Sequence, residues 1–235
     1  MDDPHLAEAV GRARELLERE AYAEAEALLS GLIRDIESRS GDRAPELITP
    51  LSLYARAVTQ QHPWTTLPEG ARAALERGLR LAIEHHGEQS RRAVRFHETL
   101  ALNLHAAGEA DLAYPHMVHV VRFAERTHGE GVLLAHQLSG LADILLSAGR
   151  YEEALATYER TFGILSGRGE ELSEFTLLFG KGRCLIEMGH HADAVPVLER
   201  AHTWFLGRFG DNRRAKELLA YVDRARLGAA EGQKT

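Results

Sequence analysis

Gly149-Arg150-Tyr151-Glu152-Glu153-Ala154-Leu155-Ala156-Thr157-Tyr158-Glu159-Arg160-Thr161-Phe162-Gly163-Ile164-Leu165 reads as a tight turn followed by one amphipathic helix. Glycine supplies the positive φ that ends a preceding helix, and Glu152 and Glu153 fall in the first turn of the next, facing the positive end of its dipole. The same opening recurs as Gly108-Glu109-Ala110-Asp111-Leu112-Ala113 and Gly189-His190-His191-Ala192-Asp193-Ala194. In each copy an alanine follows the glycine by five positions.

A second register runs beside the first. Gly41-Asp42, Gly87-Glu88, Gly129-Glu130, Gly169-Glu170 and Gly210-Asp211 place a glycine before an acid at spacings of 46, 42, 40 and 41. Ala25, Ala71, Ala113 and Ala194 stand 16 residues before their glycine, and Ala154 stands 15 before Gly169. A period near 41 marks one unit of two helices and two turns, copied about five times rather than folded into a single globular core.

Asp3-Pro4 starts the first helix, the acid as N-cap and proline at the first helical position. Ala25, Leu28, Leu29, Leu32, Ile33 and Ile36 keep helical spacing up to Gly41. The second unit is irregular: a helix over 45–61 contains Pro50, which kinks it or marks its true start near Thr49. His62 to Gly70 forms a longer connection and accounts for the spacing of 46. Further helices are expected near 71–86, 91–107, 112–127, 132–148, 151–166, 171–188 and 191–208. A last one, over 212–227, is rich in charge and fits a cap that solvates the open end of a stack.

Three units carry a small-residue signature that resembles the tetratricopeptide repeat. The small residue of the first helix falls on Ala101, Ala142 and Gly182, and the large apolar position after it on Leu104, Leu145 and Leu185. The close-packed alanine of the second helix falls on Ala113, Ala154 and Ala194, with Met117, Tyr158 and Leu198 as its bulky neighbour. The period is similar to the long repeats of kinesin light chains. The resemblance implies an all-α fold, a right-handed α-α superhelix of about five helix pairs with a C-terminal capping helix, forming one solenoid domain over residues 1–228 and a frayed tail over 229–235.

Composition agrees with such a chain: 44% hydrophobic and 6% aromatic residues suit stacked helices. A net charge of −7 gives no overall attraction to nucleic acid or to anionic lipid. No stretch approaches the roughly 18 apolar residues of a membrane span. The opening Met1-Asp2-Asp3-Pro4-His5 lacks the pattern of a secretory signal, and the lone Cys184 makes no internal disulfide, so a cytoplasmic setting is expected. Only three of the 28 basic residues are lysine, a bias that hints at a GC-rich bacterial genome.

Catalytic and metal chemistry find little support. His116 and His119, one turn apart, with His97 and His105 on the preceding helix, are the best metal or sensor candidates among 13 histidines, and they define the alternative reading, a metal-dependent sensor or enzyme. No His-Glu-x-x-His pattern or cysteine cluster accompanies them. Cys184 lies mid-helix in an apolar setting that raises a thiol pKa. Gly180-Lys181-Gly182 lacks the spaced glycine and the Ser/Thr of a phosphate loop. No cofactor, and no catalytic or metal residue, is expected.

The expected activity is non-enzymatic binding of a protein or peptide, as scaffold, adaptor or regulatory subunit. In a stack of this family the first helix of each pair lines the concave face, which selects Arg95, Glu98 and His105, then His136 and Asp143, then Phe179, Arg183 and Glu187, with Arg56 and Arg224 from weaker registers. Four arginines and two histidines against three acids make that groove basic, and arginine forks match carboxylates, so an acidic peptide is the expected ligand. A second copy of the chain is another occupant that this surface admits.

Overall fold

The computed structural model describes residues 4–166 and 171–232. The described residues form eleven α-helices and one short 3-10 turn: α1 (Pro4–Glu18), α2 (Tyr22–Ser40), the turn Pro45–Leu47, α3 (Ile48–Thr59), α4 (Glu69–His86), α5 (Arg91–Ala106), α6 (Ala110–His128), α7 (Val132–Ser147), α8 (Tyr151–Leu165), α9 (Glu171–Glu187), α10 (His191–Phe209) and α11 (Arg213–Gly232). They group into two compact units, Met1–Phe123 and Ala124–Thr235, divided within α6. Inside each unit, helices adjacent in sequence pack against each other.

The predicted turns are present and their geometry explains the glycines. Gly41, Gly87, Gly108, Gly129, Gly149, Gly189 and Gly210 all take positive φ, from 58° to 87°. At the turn within a pair the amide of Gly149 donates to Leu146 O (3.2 Å) and that of Arg150 to Leu145 O (2.9 Å), the two bonds of a Schellman cap. Gly108–Glu109 and Gly189–His190 repeat the arrangement. In the first pair Glu20 holds this position, with φ of 59°, and Ala21 N still reaches Leu16 O at 2.9 Å. Gly169-Glu170 and the Asp3 cap lie outside the described residues.

Pro50 sits in the first turn of α3, where a missing N–H breaks no helical hydrogen bond, so the helix is short rather than kinked. The turn Pro45–Leu47 leads into it. Residues 60–68 connect α3 to α4, and Gly70 belongs to α4 rather than to the connection. Helix α11 continues to Gly232, past the expected end at Leu227. Ala229 and Ala230 favour helix, and Gly228 lets α11 pass His191, whose ring a Cβ there would meet at 2.4 Å. Asn212 Oδ1 caps the helix, accepting from Arg214 N (2.9 Å) and Ala215 N (3.2 Å).

The core is built from alternating small and large residues. Ala13, Ala25 and Ala57, all fully buried, bring α1, α2 and α3 close together, with Leu17 and Leu29 filling the space beside them. In the second unit Leu185, Ile186, Ala194, Leu198, Val222 and Ala225 form one cluster. Each fully buried leucine there stabilises by about 1.5–3 kcal/mol relative to exposure. The family signature is visible as packing: a Cβ on Gly182 would stand 2.4 Å from Leu198 Cδ2. Ion pairs also follow the repeat, joining residues one unit apart: Arg77–Glu37, Arg160–Glu125 and Arg224–Glu187.

Candidate protein-interaction surface

In the first unit the opening helices of three successive pairs share one cleft of about 310 Å³. Arg14 and Glu18 come from α1, Ile48, Leu53 and Arg56 from α3, and Arg92, Arg95 and Phe96 from α5. Arg56 and Arg95, both among the expected contact residues, line this one cleft. Arg14, Arg56 and Arg95 are exposed and make no ion pair among the described residues, while Arg92 Nη1 meets His86 Nε2 at 2.5 Å. Arg43, Arg72 and Arg77 of the same unit are each matched to a glutamate.

Two of these arginines escaped the sequence reading. Arg14 follows Ala13, the fully buried small residue of α1, so its register was readable once that alanine is recognised as the packing position. Arg92 lies with Arg91 in the first turn of α5, where no acid stands. Positive charge at a helix N-terminus opposes the dipole. That local conflict is itself a signal of a role beyond folding. Glu98 and His105 lie further along α5, half-buried and each with an interaction of its own.

In the second unit the expected contacts are drawn largely into the protein. Tyr158 Oη donates to Asp143 Oδ1 at 2.5 Å. Glu187 pairs with Arg224 Nη1 at 3.0 Å. Phe179 is half-buried and meets Tyr221 edge-on at 5.1 Å, with the guanidinium carbons of Arg183 and Arg214 at 5.7 and 5.9 Å from its centroid. Such cation–π contacts hold both arginines against the aromatic surface. His136 is exposed and borders a cleft of about 270 Å³ with Ser139, Thr161 and Thr176.

The histidines singled out from the sequence do meet. His97 Nδ1 and His116 Nδ1 are 2.8 Å apart, so one imidazole donates to the other, and His119 stacks on His97 with centroids 4.4 Å apart. His119 Nε2 lies 3.6 Å from Glu88 Oε1. Burial, then the neighbouring His119 and His116, push the His97 pKa down to about 4. The rings of His97 and His119 are parallel to within 11°, a poor arrangement for two nitrogens to address one ion, because a ligated metal lies near the plane of each imidazole. No group of three or more His, Cys, Asp or Glu among the described residues is arranged to hold a metal. Cys184 is fully buried and its thiol is pushed up to about 11, chiefly by burial. No helix of the described residues is long and apolar enough to cross a membrane.

Helix pairs at a 41-residue period, small-on-large packing and an exposed lining drawn from first helices define a helical-repeat protein of the kind commonly used as a protein-interaction scaffold. The family profile described as Tetratricopeptide repeat matches residues 92–167 and 138–205, so that stretch carries repeats of this family, whose members are mainly non-enzymatic scaffolds. Its long repeats are similar to those of kinesin light chains. A structure of kinesin light chain nearly identical TPR-like repeats from Podosopora anserina is 18% identical, covering 90% of this chain and 100% of that one, with a TM-score of 0.72. BtubC (BKLC) from P. vanneervenii is also 18% identical, over 89% and 91% of the two chains, with a TM-score of 0.60. Aspartyl phosphate phosphatase F from Bacillus subtilis is 11% identical, over 100% and 75%, again at 0.60. At these identities the likeness is one of fold, the TPR-like solenoid, and a fold shared by a kinesin light chain and an aspartyl phosphate phosphatase does not fix an activity. No curated protein matches by sequence.

Proposed function

We propose that this protein is a non-enzymatic interaction module that holds an acidic segment of a partner protein against the surface lined by its first helices. The observation that carries this reading is the cleft between α1, α3 and α5, where four arginines face one glutamate. It stands on a unit that is acidic as a whole, with 14 arginines, no lysine and 19 Asp or Glu. A local reversal of charge favours an anionic partner and excludes a basic one. Ile48, Leu53 and Phe96 add apolar lining, which gives a bound segment contact area beyond its charge. Rigid helices hold that lining in place and lower the ordering cost of binding.

Taken by itself, the second unit offers His136, Arg183, Phe179 and the Glu187–Arg224 pair as a weaker contact surface for such a segment. Fluorescence anisotropy with labelled oligoglutamate, oligolysine and Gly/Ser peptides of equal length tests the charge preference. Saturable binding of the oligoglutamate alone, weakened in an Arg95→Glu/Arg183→Glu variant, supports the reading. Equal binding of all three, or none by the acidic peptide, contradicts it.

A further inference from the structure

We infer that the cleft between α1, α3 and α5 selects a phosphorylated side chain over a carboxylate, so that the partner is engaged when modified. This rests on the reading of the cleft as an acidic-segment site and specifies its ligand.

Four arginines and one glutamate leave the cleft with a surplus of three positive charges. Three of the four guanidiniums, those of Arg14, Arg56 and Arg95, have no carboxylate partner among the described residues. A single carboxylate would neutralise one charge and engage one fork. A phosphoryl group carries nearly two negative charges and three strong acceptor oxygens, so it can take hydrogen bonds from guanidiniums of more than one helix at once. The arginines are distributed for this, one from α1, one from α3 and two from α5.

Helix α5 adds to the same potential. Arg92 and Arg95 stand in its first two turns, where the positive end of the dipole reinforces their charge. Ser90 Oγ accepts from Ala93 N at 3.2 Å, which fixes the helix start. Repulsion among these cations in the free protein is relieved most by the ligand with the highest charge in the smallest volume. Arginine clusters are the general means by which phosphorylated segments are recognised.

Anisotropy measurements on the full chain with three degenerate peptide libraries test this, the libraries sharing random flanks and differing only in a fixed central phosphoserine, glutamate or serine. The phosphoserine library should bind about tenfold or more tightly than the glutamate library. In Arg56→Gln/Arg95→Gln, whose exposed substitutions should leave the melting curve unchanged, that advantage should vanish. Equal binding of the phosphoserine and glutamate libraries, both lost in the variant, would remove this inference and leave the acidic-segment reading standing. A phosphoserine preference that survives in the variant would place recognition elsewhere and overturn it. Failure of all three libraries to bind would remove both.

Discussion

Tyr158 on α8 donates its phenolic hydrogen to Asp143 Oδ1 on α7 across 2.5 Å, and the same ring fills the space left by Gly180 on α9. One side chain thus ties three successive helices of the second unit. Burial, and then the adjacent Asp143 carboxylate, hold the Tyr158 pKa well above the usual tyrosine range, so the hydroxyl remains a donor at any physiological pH. Tyr158→Phe should keep the fold and cost about 1–2 kcal/mol, the loss of one hydrogen bond to a charged and half-buried acceptor. Urea unfolding measures it, and an unchanged midpoint would show that the contact carries no stability.

Three glycines should respond to alanine in opposite ways. A Cβ at Gly180 would lie 2.3 Å from Tyr158 Cζ, part of a rigid ring held by its hydrogen bond, so Gly180→Ala should cost about 1–3 kcal/mol. At Gly182 the obstacle is Leu198, whose Cδ2 and Cγ would lie 2.4 and 2.5 Å away in a fully buried side chain, so Gly182→Ala should carry a similar cost. Gly163 is helical with nothing within 4 Å of a Cβ, and Gly163→Ala should stabilise by about 0.5–1 kcal/mol. Thermal melts of the three variants check the order.

Glu20 adopts φ of 59° at a turn where the later pairs have Gly108, Gly149 and Gly189. The left-handed conformation costs a side-chain-bearing residue about 1–2 kcal/mol. Glycine loses more backbone entropy on folding, which offsets part of the relief. Glu20→Gly should therefore raise stability by about 0.5–1 kcal/mol, read as a higher denaturant midpoint at constant slope.

The imidazoles of the first unit should make stability depend on pH. His97 is buried and its pKa is lowered from 6.5 to about 4. The unfolded chain therefore binds more protons than the native one between those values. Stability is full above pH 6.5 and falls as pH drops towards 4, with a slope approaching about 1.4 kcal/mol per pH unit from this group. His116, also lowered by burial, and His119, Glu76 and Glu88 face the same cluster. In His97→Gln the slope over that window should flatten in denaturation series at fixed ionic strength.

The repeat was legible because its determinants are local. Positive-φ glycines, acids in first turns and alanines at packing positions act through neighbours a few residues away, so Gly149 to Leu165 alone indicated the fold. The surface was legible only in part. Arg56 and Arg95 followed from helix register, but Asp143 and Glu187 have the same register and turn to Tyr158 and Arg224. Those contacts join residues on different helices, with partners set by rotamers that spacing does not encode. Trp64 shows the same limit. Its loop was evident from the prolines, whereas its 79% exposure depends on what the neighbouring helices leave uncovered.

The central claim, that this protein works by binding a partner on its first-helix surface, is tested most directly by quantitative affinity capture. Wild type should be compared with Arg56→Glu/Arg95→Glu and with Arg213→Glu, an exposed arginine at the start of α11, after matched melting curves. The account predicts that the partners held by wild type and by Arg213→Glu are lost from the cleft variant. The same partners in the same amounts on all three proteins would contradict it.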